Sequence, residues 1–190
     1  MTLRTTRHTA VRAMLAAAVA VPSLMLAAGP ASAAPEDIVG VANANLDHHA
    51  CDTNSAGQQG YNSSCTGDGG SPENWCADFV AWAWAQAGYD VNGLSPAAGS
   101  FAEYGAGLHP DPHVGDAVVF DYRGNGSADH VAIVTAVNGD GSIESTGGNE
   151  VTEDAATSTV HHDGPYSGAV GDSSYWNMAI SGYVSPTNRP

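Results

Sequence analysis

From Trp75 to Ala87 the chain reads as a helix that is apolar over most of its circumference. Val80, Ala83, Trp84 and Ala87 share one stripe, Trp75, Phe79 and Trp82 form another, and only the last turn near Gln86 looks wet. Such a helix must be central and covered on most sides. Ser71-Pro72-Glu73 supplies a candidate cap, a proline at the first helical position and an acid in the first turn, and Gly88 ends the helix. After Gly115-Asp116 the period changes from helical to extended. Ala117–Phe120 and His130–Val137 are β-branched runs, and Asn138-Gly139-Asp140-Gly141 is a hairpin signal into Ser142–Ser145. Upstream, Glu36–Leu46 reads as a short amphipathic helix and residues 47–71 as a polar, turn-rich loop. Downstream, residues 150–175 read as a long loop with one strand near Val160, and Trp176–Val184 as a closing strand. Helices first and an antiparallel sheet second make an α+β plan.

Charge narrows the partners. The 190 residues, 43% hydrophobic, fit one domain, and they carry 20 acidic residues against 5 basic ones, none of them lysine. Neutralising phosphates takes clustered Lys and Arg, so nucleic acid is excluded, as is a cationic helix lying on an anionic membrane. Three of the five arginines, Arg4, Arg7 and Arg12, precede an apolar run from Ala13 to Ala28 that Pro22 interrupts. Ala31-Ser32-Ala33 follows with the small residues of a cleavage site. The run is too short and too broken for a membrane anchor, so residues 1–33 are expected to be a secretory signal and the protein to be secreted, free of the membrane after signal removal. Arg123 and Arg189 would then face all 20 acidic residues, a formal charge of −18 that favours solubility. The expected organisation is a signal at 1–33, a helix and polar loop at 34–72 that belong to the catalytic domain, and a core at 73–190, acting as a monomer.

The three cysteines carry the chemistry. Cys51 and Cys65 lie 14 apart in the polar loop of an exported chain, a natural disulfide pair. Cys76 is left over at the start of the buried helix, where the positive end of the helix dipole favours a thiolate nucleophile. A nucleophilic cysteine needs a base, and His130, at the start of the most apolar strand, is the best candidate. His48-His49 and His161-His162 are adjacent pairs in polar stretches, and His109 and His113 flank prolines in a loop. A zinc site from these would be poor by spacing, so no metal or cofactor is expected.

Asn74–Trp82 (NWCADFVAW) resembles the nucleophile helix of CHAP domains, the cysteine, histidine-dependent amidohydrolase/peptidase family related to NlpC/P60 within a papain-like superfamily. Gly115–Phe120 (GDAVVF) resembles the start of that family's first core strand, and Asp129–Val134 (DHVAIV) its histidine strand. The three motifs cover residues 73–149 in the family's order. The resemblance implies helices packed on an antiparallel sheet, with Cys76 as nucleophile and His130 as general base. The family often shows Glu-Gly-Asn after the hairpin, and the matching run is Gly147-Gly148-Asn149. Asn149 is therefore the expected third catalytic residue, with Glu144 as the alternative. Some members bind calcium just before the cysteine, but the run Asp68–Glu73 is oxygen-poor and does not repeat an alternating carboxylate loop. The implied activity is hydrolysis of peptidoglycan amide bonds, as an endopeptidase or an N-acetylmuramoyl-L-alanine amidase. A non-catalytic wall-binding module on the same fold and an exported antibacterial effector are the competing readings.

Overall fold

The structure, a computed structural model, describes residues 33–190; the expected signal segment, apart from Ala33, lies outside them. Helix α1 spans Pro35–Asn43 and helix α2 Cys76–Gln86. A short strand β1 (Tyr89–Asp90) and a 3₁₀ helix (Ala98–Glu103) follow. The strands β2 (Ala117–Phe120), β3 (His130–Val137), β4 (Ser142–Glu150), β5 (Thr159–Ser167) and β6 (Ile180–Val184) come next, and β7 (Thr187–Asn188) pairs back onto β1. The main sheet has the order β5-β4-β3-β2-β6 and every neighbouring pair is antiparallel. The fold is α+β, as expected.

Alternation along the strands divides the core into two layers. Ala117, Val119, Val131 and Ile133 face the helices, where α2 buries Phe79, Val80, Ala83 and Trp84. Val118, Phe120, Ala132 and Val134 face the other way and are covered by Tyr175, Ile180 and Tyr183. Burial of both faces explains why these strands read as continuous apolar runs. A Cβ on Gly148 would run into the rings of Trp75 and the stem of Phe79, so only glycine lets β4 pass this close to the central helix.

Three local expectations are corrected. Helix α2 begins at Cys76, one residue into the expected span, but Ser71 does not cap it and Pro72 does not open it; its N-cap Trp75 makes no side-chain cap bond. Ser71 is turned back onto Asp68 by paired backbone bonds, and the Glu73 amide is bound to the Ser64 carbonyl. The proline therefore sits in a loop and the cysteine itself opens the helix. The strand near Val160 is nine residues long and zips along β4. The closing strand starts only at Ile180, because Trp176 and Asn177 take left-handed backbone angles (φ 47° and 60°) that no strand accommodates.

Candidate active site

Cys76 is the first residue of α2 and is 5% exposed. The amides of a first helical turn lack intrahelical partners, so their N–H groups and the dipole present positive potential at its sulfur. Cys51 and Cys65 form a disulfide, and Cys76 is unpaired. That bridge staples the loop over α2: Tyr61 stacks on Trp75 at 5.4 Å between centroids, and the Asn62 amide donates to the Asp78 carbonyl.

His130 is the first residue of β3, at the end of the sheet that meets the N-terminus of α2. Its ring packs beside Phe120 and Tyr175, with centroids 5.9 and 6.1 Å away, and those two rings stack on each other at 4.6 Å. It faces the Cys76 thiol, and its Nε2 lies 2.9 Å from Glu150 Oε1. The Tyr175 hydroxyl donates to that same oxygen at 2.8 Å. Burial pushes the imidazole down, but the bonds to Cys76 and Glu150 and their charges outweigh it and raise it to about 10. Burial pushes the Glu150 carboxyl up, while the imidazole and Tyr175 pull it down. A buried carboxyl group against an imidazole that faces a thiol at a helix start is an arrangement that can supply a nucleophile, a base and a group that orients the base.

The structure brings Cys76 and His130 together and places Glu150, not Asn149, against the imidazole. Asn149 Oδ1 instead accepts from the Ser158 hydroxyl at 3.2 Å, and Ser158 Oγ accepts from Trp75 Nε1 at 2.9 Å. The cause is a bulge. Gly147 pairs with His161 but Glu150 pairs with Thr159, so β4 carries one more residue than β5 there. Asn149, with φ 62°, absorbs the extra residue. On a regular strand, 149 would share the face of 147; with the bulge, 150 does. Glu144 points away and pairs with His162 at 3.3 Å. The signal for Glu150 is the Gly-Gly-Asn-Glu run itself, in which glycine and asparagine tolerate the backbone of a bulge, but it locates the bulge only once the strand pairing is known.

The pair sits between two hollows that meet at Asp129. One, of about 230 Å³, is walled by small residues, among them Pro96, Ala97, Gly99, Gly126 and Ala128. The other, of about 160 Å³, is lined by Glu150, Glu153, Tyr175 and a half-exposed Trp176. Arg123 Nη2 donates to both carboxylate oxygens of Asp129, at 2.6 and 2.7 Å, which braces the turn before His130.

On either side of the cysteine in sequence, Glu73 and Asp78 both accept from the Ser63 hydroxyl, at 2.6 and 2.8 Å. Burial raises Asp78 to about 6; Ser63 pulls it down and the Glu73 charge pushes it further up. Asp68 is engaged with Ser71 rather than with this pair. Two carboxylates that close on one hydroxyl are a poor cage for a hard cation, which takes six or more oxygens.

Residues 66–149 match the family model of the CHAP domain. Neither a search of curated proteins nor one of solved structures returned a match.

Proposed function

We propose, from the premise that residues 66–149 belong to the CHAP domain family, that the protein is a secreted cysteine hydrolase of peptidoglycan amide bonds. The observation that carries this reading is the series Cys76–His130–Glu150, in which the imidazole faces the thiol and is hydrogen-bonded to the carboxylate, at the mouth of the two hollows. The N-terminal signal pattern and the Cys51–Cys65 bridge support export to an oxidising compartment. No helix among the described residues is long and apolar enough to cross a membrane.

The chemistry follows from the geometry. The Cys76 thiolate attacks the amide carbonyl, and the oxyanion is met by the unpartnered N–H groups that open α2. The His130 imidazolium gives its proton to the departing amine, leaving a thioester on Cys76. Neutral His130 then takes a proton from water, which attacks the thioester and releases the acid and the thiol. Glu150, braced by Tyr175, holds the ring in one orientation and favours its charged form; in this assignment it takes the role expected of Asn149. The narrow hollow with small walls suits an extended peptide, and Trp176 offers an aromatic platform beyond the bond cleaved.

Digestion of purified peptidoglycan and of defined muropeptides, read by mass spectrometry, tests the reading. Products that gain one water and expose one new amine are expected. Fragments cut within the stem peptide identify an endopeptidase, and separation of stem from sugar identifies an amidase. Intact substrates after prolonged incubation would contradict the proposal.

A further inference from the structure

We propose that His109, His113 and Asp116 form a binding site for one zinc-class divalent cation, separate from the catalytic cleft. The site lies before β2, whose far residue Phe120 pairs with His130, so the strand holds the two about 13 Å apart.

The donor atoms already converge. His113 Nδ1 lies 3.2 Å and His109 Nε2 3.6 Å from Asp116 Oδ2, and all three ligand atoms fall within 4.8 Å of one another. Tetrahedral zinc, with bonds of about 2.0–2.1 Å, holds its ligand atoms about 3.3 Å apart. Two separations are therefore in place, and the third needs only rotation of an imidazole. The His113 ring, 67% exposed, can make that move, whereas Asp116, 2% exposed, is a fixed anchor.

The backbone preorganises the set. His109 and Tyr183 exchange both backbone bonds at 2.9 Å, which ties one ligand to β6. The Asp116 amide donates to the His113 carbonyl, and the His113 amide donates to Asp116 Oδ2 at 2.9 Å. That second bond orients the carboxylate in the manner of an outer-shell partner. Ser185 Oγ, 3.1 Å from His109 Nε2, is the protein contact the ion would displace or recruit; water can fill the remaining position. Two imidazoles and one carboxylate suit zinc over calcium or magnesium, which prefer all-oxygen sets. Prolines at 110 and 112 made the spacing look unsuitable in the sequence. The third ligand comes from the Gly115-Asp116 step, and the fold supplies the convergence. A bound ion would staple the loop 109–116 to the edge strand β6.

The test uses the chain from residue 34 in a Cys76→Ala background, so that the catalytic thiol takes no metal. Zn²⁺ alone is titrated by calorimetry and by thermal melting, with Ca²⁺ and Mg²⁺ in parallel. The proposal expects one equivalent of Zn²⁺ and a Tm rise of roughly 5–10 °C at about a 100-fold excess over Kd. His109→Gln, at a partly buried position, and His113→Gln, at an exposed one, should each weaken binding at least tenfold while the metal-free protein still folds, with the metal-free Tm of His113→Gln in place. Absence of stoichiometric binding, binding that stays within tenfold in either variant, or an equal response to Ca²⁺ would overturn it.

Discussion

The carboxylate of Glu150 fills the space into which a side chain at Gly147 would project. A Cβ built on Gly147 would fall within the van der Waals envelope of Glu150 Oε1 and 3.1 Å from the Ala132 Cβ. The position where the family often has its glutamate is empty of side chain here, and a residue three places on reaches the same imidazole by way of the β4 bulge. The two positions are thus alternatives for one space. Gly147→Ala should displace Glu150 and lower kcat/KM by at least about tenfold, about 1.4 kcal/mol of transition-state stabilisation. Glu150→Gln should do the same, and the double variant should be no worse than Glu150→Gln alone. Steady-state kinetics on a soluble muropeptide decides; strictly multiplicative losses would show that the positions act independently.

The His130–Glu150 pair sets a pH dependence with a defined sign. The folded imidazole is raised to about 10, against an ordinary value of about 6.5. Its contribution to stability is fully present below about pH 6.5 and is lost as pH rises through about 10. The imidazolium needed to protonate the leaving amine therefore survives neutral pH, and the alkaline limb of kcat/KM should lie well above 6.5. Glu150→Gln removes a charge that favours the imidazolium, so that limb should move to lower pH. An unchanged limb would mean that another group controls it.

Asn149 is assigned a supporting place in the bulge rather than a contact with the imidazole. Glycine accepts its φ of 62° without strain, and Ser158 keeps the Ala155 carbonyl as an acceptor at 3.0 Å. Asn149→Gly should therefore keep kcat within about threefold and cost about 0.5–1.5 kcal/mol through the lost hydrogen bond. A loss of kcat as large as that of Glu150→Gln would restore Asn149 to the catalytic set.

The Cys51–Cys65 bridge should matter for the site as well as for stability. A loop of this size is worth about 3 kcal/mol, and the loop carries Tyr61 and Ser63 onto the start of α2. Cys51→Ser/Cys65→Ser should lower Tm by roughly 6–12 °C. Hydrolysis should weaken with it. A Tm within about 2 °C of the parent would show that the loop is held without the bridge.

The sequence was most legible where one rule acted alone. Ala117–Phe120 and His130–Val137 fall where their β-branched runs lie, because both faces of those strands are buried and no local signal competes. Cys76 stands out because three cysteines, two of them a natural pair in one loop, leave one over. The cap of α2 is the part that misleads, because Ser71, Pro72 and Glu73 imitate a first turn that tertiary bonds to Ser63 and Ser64 override. Glu150 was hidden for a different reason. Face alternation is a rule for regular strands, and one extra residue between Gly147 and Glu150 exchanges which of two neighbours points at His130. The short strands β1 and β7 and the 3₁₀ helix carry no periodic signal at all.

Cys76 as nucleophile is the claim on which the rest stands, and trapping the acyl-enzyme tests it most directly. The protein is mixed with a soluble muropeptide, quenched in acid within one turnover, and its intact mass and peptide map are read. The account predicts a mass gain equal to the acyl fragment, located on Cys76, and neither adduct nor hydrolysis in Cys76→Ala. Undiminished hydrolysis by Cys76→Ala, or an adduct on any other residue, would contradict it.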